Sequence, residues 1–397
     1  MRSFKFCWID EFVKYFGETV KAPRDFLFWT AVSAISASLK RECWFQTRGY
    51  KLYPNQYIVL VGTPGTGKGA SIQPLSNIVK NAGTANILAG RLTAPAIFER
   101  VSKGFSSVHS IGKGVSLSID HSVYIIAAEL PVLLANHHEL KYFSDIWDSR
   151  EVPFDYITRS GGTLVIPNPC FNLIGGVTMQ GLTDAVPQLS IGSGFTKRII
   201  FVYATHKDRP PRHEKDLWPD MKDIIVPDYF VNSIREIAST TKGSFRLEDK
   251  CKPLFAELVK RSTPGDIEEE FVSHFKTEVI GHTLKLSMSL TASLTDSMEI
   301  PIPILERAMA EVEKIISNLP RVFGTSGDSD LASLGGRILN FIEAKGYATR
   351  GEIIKSMWRH GKSEQIDALL LTFMQCMPPA IIETTMGGQQ VFKIFIL

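Results

Sequence analysis

The chain has 397 residues, 44% of them hydrophobic, enough for roughly two or three domains with real cores and too apolar for a disordered tail. A net charge of +3, from 44 basic and 41 acidic residues, neither marks nor excludes a nucleic-acid binder, so any basic surface must be local. Five scattered cysteines, Cys7, Cys43, Cys170, Cys251 and Cys376, contain no C-x-x-C pair, which argues against a disulfide framework or a zinc site and for a reducing, cytoplasmic setting.

Charge interrupts the first residues too early for a signal peptide, and no apolar run approaches the roughly 20 residues of a spanning helix, so no membrane partner is expected. From Ile9 to Leu39, Phe12, Val13 and Phe16, then Phe26, Trp29, Val32 and Ile35, recur at helical spacing on either side of Pro23, predicting a small helical lead-in of two helices.

Next comes Tyr57-Ile58-Val59-Leu60-Val61, a buried-strand pattern, followed at once by Gly62-Thr63-Pro64-Gly65-Thr66-Gly67-Lys68. Strand, glycine loop and lysine in this order make a cradle for a nucleoside triphosphate. The glycines let successive N–H groups face the phosphates, a helix starting near Lys68 adds its dipole, and the ammonium pairs with the terminal phosphates. The nucleotide-binding residues expected are Gly62, Thr63, Pro64, Gly65, Thr66, Gly67, Lys68, Gly69 and Ala70, with ATP as the ligand. Gly69 stands where Ser or Thr normally supplies a hydroxyl to Mg2+, and Ser71 lies about 200° further round the helix. Mg2+ would therefore be held through waters and phosphates, and no residue is assigned as its protein ligand.

Further apolar runs at Ala85–Ala89, Val123–Ala127, Phe171–Val177 and Ile199–Tyr203, separated by helical or polar stretches, predict an α/β fold with a parallel sheet between helices. Glu129, just past the Val123–Ala127 run, is the candidate base that polarises the attacking water, while the preceding position, usually an Asp for the metal, is Ala128. Thr178 ends the Phe171–Val177 strand, where it either meets the terminal phosphate or caps the next helix; Asn172 is the second choice. Arg198, just before the last strand, is a candidate arginine finger for a neighbour's site or a plain surface residue. Pro153 to Ile166 reads as a β-hairpin with a Ser-Gly-Gly tip. Lys103–Ser118 reads as a flexible insertion. The pair His137-His138 has no metal-ligand spacing and reads as helix surface.

After a Pro-rich, charged connection over Lys207–Pro219, Cys251–Arg261, Ile267–Leu294 and Ile304–Ile316 show helical periodicity without strands, predicting a helical subdomain. A polar linker at Gly324–Ser329 leads to a last module. Three amphipathic helices are followed by strands at Ala380–Thr384 and Gln390–Phe395 around Gly387-Gly388, the order of a winged helix. Its candidate recognition helix, Lys362–Cys376, has Lys362 as its only cation and carries Glu364 and Asp367. Arg350, Lys355, Arg359, His360 and Lys393 supply charge around it, so the module serves either DNA or assembly.

These pieces in this order resemble the AAA+ P-loop ATPases, and the surroundings of Arg198 are similar to the arginine-finger segment of their minichromosome-maintenance branch. More closely, Val61–Ala70, Ala127–Leu134, Phe143–Thr163 and Asn168–Tyr203 resemble the replicative helicase-type ATPases of phages and mobile elements. Asp145-Ile146-Trp147-Asp148 and Asn168 to Thr178 are the most specific stretches. The resemblance, which covers roughly residues 1–320, implies a lead-in over 1–50, an ATPase core over 51–238 and a helical lid over 239–325, ahead of a winged helix over 326–397. It implies a DNA-dependent ATPase, a helicase or translocase in DNA replication, working as a hexamer or other ring with sites shared between subunits and a primase or other replication protein as partner. It also implies that Lys276, His282 or Lys285 reaches the nucleotide from the lid. The 153–166 hairpin would enter the central channel, with Arg159 on phosphate and Tyr156 stacked on a base if it points outward; Lys113 of the second insertion would act likewise. Ala128 and Gly69 depart from the pattern. They favour an alternative, a nucleotide-gated DNA-binding assembly factor or helicase loader with little hydrolysis. A winged-helix transcription regulator with a degenerate ATPase domain is a third possibility, which the weakly basic recognition helix supports little.

Overall fold

The computed structural model describes residues 7–111, 114–127, 130, 133, 137–157, 162–185, 194–208, 210, 227–263, 270–323, 330–375 and 379–394. The chain divides into two compact units, Met1–Leu319 and Pro320–Leu397. Among the described residues no helix is long and apolar enough to cross a membrane.

The first unit begins with α1 (Trp8–Thr19), whose apolar stripe Trp8, Phe12 and Phe16 packs round Phe230, and α2 (Arg24–Leu39), which starts after Pro23. The two helices expected here are present, and every residue of α2 from Phe26 to Leu39 is buried, with strands of the main sheet among its contacts, so this helix is part of the core. Its serines are satisfied across the packing: Ser33 donates to the Tyr124 hydroxyl at 2.9 Å and Ser36 meets Ser289 at 2.9 Å.

There follow β1 (Cys43–Gln46), β2 (Lys51–Leu52), β3 (Tyr57–Val61), α3 (Lys68–Ala82), β4 (Ile87–Gly90) and α4 (Ala94–Ser102). A hairpin of β5 (Phe105–Ile111) and β6 (Gly114–Asp120) then leads into β7 (Ser122–Ala127). After α5 (His137–Trp147) a second hairpin, β8 (Phe154–Ile157) with β9 (Thr163–Ile166), precedes β10 (Cys170–Val177), α6 (Met179–Ala185) and β11 (Ile199–Tyr203). The insertion expected to be flexible around Lys103–Ser118 is thus a β-hairpin.

The main sheet is parallel, in the order β11–β3–β10–β7–β4. All residues of β3 and β7 are buried, which is why they read as continuous apolar runs without alternation. The registers Val61↔Val177, Val61↔Tyr203 and Ala127↔Gly175 bring the carboxyl ends of four strands to one edge. That edge starts the glycine loop.

The remaining elements of this unit are α7 (Asp228–Thr240), β12 (Gly243–Leu247), α8 (Lys252–Arg261), α9 (Glu270–Lys276), α10 (Val279–Leu294), β13 (Glu299–Ile300) and α11 (Ile302–Phe323), the last ending past Leu319. A purely helical region was expected here, yet β12 pairs in parallel with β1 and β13 in a second sheet ordered β13–β12–β1–β2. Gly243–Leu247 carries little strand signal by itself; pairing with a strand 200 residues away in sequence, Phe45↔Phe245, makes it one.

The second unit contains α12 (Asp330–Lys345), α13 (Arg350–Met357), α14 (Ser363–Gln375) and an antiparallel hairpin of β14 (Ile381–Met386) and β15 (Gln389–Ile394). Gly387 and Gly388 turn the hairpin with φ of +56° and +79°, the paired left-handed geometry of a two-residue loop. Ile338, Ile342, Ile353, Ile366, Leu370, Ile381 and Phe392 form its core. Thr349 and Glu352 make a capping box at the start of α13. The linker expected at 324–329 and Cys376 lie outside the described residues.

Candidate functional site

The glycine loop is shaped by contacts a Cβ would spoil. A Cβ on Gly62 would stand 2.6 Å from the Ala204 carbonyl oxygen, and Gly65 and Gly67 have φ of +83° and +103°, left-handed values that favour glycine. Gly67 caps α3, so the helix amino end opens onto the loop. The Thr66 hydroxyl donates to the Thr63 carbonyl inside the loop. Lys68 Nζ donates to the carbonyls of Gly62 at 2.6 Å and Thr63 at 2.9 Å, and partial burial lowers its pKa. A pocket of about 450 Å³ lies over the loop, lined by Gly65, Gly67, Lys68, Gly69 and, from β10, Thr178. These groups suit a polyphosphate: an amide-rich turn, a helix amino end and a half-buried amine.

Two neighbours of this loop were not foreseen. Gly67 lies against Ala22 and Pro23 of the α1–α2 corner, 3.4 and 3.5 Å from where its Cβ would be, and His206, just past β11, stands 3.3 Å from that of Gly65. Sequence gave no hint of either, because both contacts join segments brought together only by the sheet.

Gly176 of β10 lets Lys68 lie flat on the strand, since its Cβ would be 3.0 Å from that of Lys68. Thr178 Oγ1 accepts from the Gly181 N–H at 3.0 Å, so this residue caps α6, and it also lines the pocket. Asn172, the second choice, lies at the other end of β10, where its Oδ1 accepts from the Gln56 N–H at 3.0 Å and ties the strands. It is a structural residue, far from the loop. A Cβ on Gly69 would meet nothing within 4 Å, while Ser71 donates to the Gly67 carbonyl at 2.9 Å. Ala128 and Glu129 lie outside the described residues, beyond the end of β7 at Ala127.

Arg198 sits at the opposite edge of the sheet, in the turn before Ile199, which pairs with Tyr57 at the start of β3. Five residues of strand, roughly 16 Å, separate this edge from the loop, further than an arginine reaches. The expectation that His282 or Lys285 reaches the nucleotide from a lid is corrected by the same geometry. Lys285 is fully buried and donates to Asn55, two residues ahead of β3, and His282 Nε2 lies 2.9 Å from the Lys197 carbonyl. Burial lowers the Lys285 pKa to about 7 and that of His282 to about 4. α9, which carries Lys276, packs on the turn at Thr196–Arg198, again at the far edge.

Tyr156 does not point outward as base stacking requires. It is buried against Phe98 and Tyr142, with ring centroids 4.8 and 5.2 Å away. The alternation of β8 and β9 turns Asp155, Ile157, Thr163 and Val165 to solvent, a face without a cation. Arg159 and Lys113, the other expected DNA contacts, lie outside the described residues. In the second unit Arg350 is engaged by Asp367 at 2.6 Å.

No protein-family model matches the chain, and no curated protein matches it.

Proposed function

We propose that the chain is an AAA+-type P-loop ATPase that couples ATP binding and hydrolysis to work on DNA, as a helicase or translocase in replication of phage or mobile-element DNA. The observation that carries this reading is the division of the machinery between two edges of one sheet. The glycine loop, Lys68 and Thr178 share the carboxyl edge, and Arg198 stands at the amino edge. A head-to-tail ring brings the amino edge of one subunit to the loop of the next, so each ATP is held by one chain and met by Arg198 of its neighbour. The triphosphate would lie on the loop N–H groups with Lys68 on its terminal phosphates and Glu129 orienting the water. Mg2+, held through phosphates and waters and not by a side chain of this loop, would supply charge neutralisation there.

DNA contact falls to Arg159 and Lys113, because the outward face of β8–β9 is apolar and acidic. The three helices and hairpin of the second unit are read as a winged helix. With Arg350 already paired to Asp367, its use in assembly is favoured over duplex binding.

A second reading, a nucleotide-gated assembly factor or helicase loader, is favoured by Gly69, which leaves open space where a metal-binding hydroxyl would stand. Steady-state phosphate release from ATP, with and without single-stranded DNA, separates the two. DNA-stimulated turnover that Lys68→Ala and Glu129→Gln both abolish supports the motor. ATP binding without turnover, lost only in Lys68→Ala, supports the loader.

A further inference from the structure

Trp147, at the carboxyl end of α5, and Asp148, just after it, have no part in the pocket over the glycine loop. Both converge on Arg198. Arg198 Nη2 donates to Asp148 Oδ1 at 3.1 Å and Oδ2 at 3.3 Å, and Nη1 donates to the Gly194 carbonyl at 2.7 Å. The guanidinium carbon lies 5.6 Å from the centre of the Trp147 ring. Trp147 is itself fixed from two sides. Its carbonyl accepts from Asn55 Nδ2 at 2.9 Å, and Lys285 Nζ lies 4.0 Å from its ring centre while donating to the same Asn55. The arginine side chain is 15% exposed, and its Nε is buried with no partner among the described residues.

We propose that Asp148 is a positioning residue for Arg198: its carboxylate, together with the Gly194 carbonyl, holds the guanidinium in the orientation from which it meets the nucleotide of the neighbouring subunit. The inference rests on the shared-site reading above. An arginine on a free stem must be ordered when the phosphate arrives, whereas one held by a carboxylate and a carbonyl has already lost that freedom. Five N–H donors make this possible, since Gly194 and Asp148 occupy only part of the fork. The opposing effect is that a carboxylate offsets part of the charge the arginine brings to the phosphate. Positioning and neutralisation therefore predict opposite signs for removal of the Asp148 charge.

The test uses mixed subunits of the full chain. Lys68→Ala keeps Arg198 but cannot hold ATP, and Arg198→Ala keeps the loop but lacks the finger; mixing the two inactive variants restores ATPase where the first faces the second. Asp148→Asn is then added to the Lys68→Ala subunit alone, so that the chain holding ATP is untouched. The expected result is a loss of about tenfold in the restored kcat with KM for ATP unchanged. A restored kcat that stays level or rises overturns the proposal. Should the Asn variant not assemble, Asp148→Glu on the same subunit carries the test, because displacing the carboxylate by one methylene is expected to lower kcat about threefold, and an unchanged kcat overturns it. If the parent mixture restores nothing, the shared-site reading falls, and this inference with it.

Discussion

The Lys285 ammonium group donates to Asn55 Oδ1 at 2.7 Å and to the Asn55 carbonyl at 3.0 Å, fixing a fully buried amine of α10 to a residue two positions ahead of β3. Burial holds its pKa down at about 7 against the opposing pull of Cys170, Asp148 and Glu278, with Arg198 adding to the depression. Between pH 7 and the ordinary lysine value, the unfolded chain keeps a proton that the folded chain has released. This group therefore makes folding more favourable as pH rises through that window, and its burial is most costly below pH 7. His282, lowered to about 4 by burial, adds a loss of stability as pH falls from its ordinary 6.5 toward 4.

The measurement is denaturant unfolding of the native chain and Lys285→Met at several pH values. The stability difference between native and variant is expected to move in favour of the native chain from pH 7 to 10. Cys170, whose thiol is pushed up to about 11 by burial and which interacts electrostatically with Lys285, contributes with the opposite sign toward the upper end of this range. Parallel pH profiles would show that the amine titrates normally.

Gly69→Ser adds a hydroxyl where a Cβ meets no atom within 4 Å, so the fold is expected to accept it. Under the proposed function this hydroxyl gains a place on Mg2+. The Mg2+ concentration for half-maximal ATPase should fall on the order of tenfold, the equivalent of about 1.4 kcal/mol. A Mg2+ titration of the two proteins decides it; an unchanged midpoint means that the loop does not present this position to the metal.

Gly176→Ala drives a methyl group toward Lys68, whose Cβ is only 3.0 Å from the new atom. Displacing the base of that side chain should weaken ATP binding about ten- to hundredfold. Calorimetric titration with ATP reads this directly, with circular dichroism to establish that the sheet is intact. Equal affinity would show that the lysine stem moves aside freely.

Tyr156→Ala removes a ring buried against Phe98 and Tyr142, and should cost about 3 kcal/mol of stability in the first unit. Arg159→Ala should leave stability unchanged and reduce the slope of DNA affinity against salt by about 1. If Tyr156→Ala is as stable as the native chain, the inward packing of the hairpin is wrong.

Thr349→Ala removes the hydroxyl of the capping box at α13, which accepts from the Glu352 N–H at 3.3 Å. A loss of about 1 kcal/mol in the second unit is expected. Thermal unfolding of the full chain by a probe in this unit measures it, and an unchanged transition would show that the cap is dispensable.

What the sequence alone determined is what short stretches of chain close by themselves. The strand Tyr57–Val61 runs into the glycine loop and α3 within residues that touch one another, and Gly387-Gly388 can only turn its hairpin tightly. The buried strands were legible because two-sided burial leaves an unbroken apolar run. Tertiary structure decided the rest, because periodicity states that a face is buried without stating which end of the sheet covers it. It made α2 a core helix, turned Gly243–Leu247 into a strand through a partner 200 residues away, and faced Tyr156 inward. Above all, it gathered Arg198, Asp148, Lys285 and His282 at the edge opposite Lys68. The hydrogen bond between Lys285 and Asn55 spans 230 residues, and no local pattern in the chain encodes such a distance.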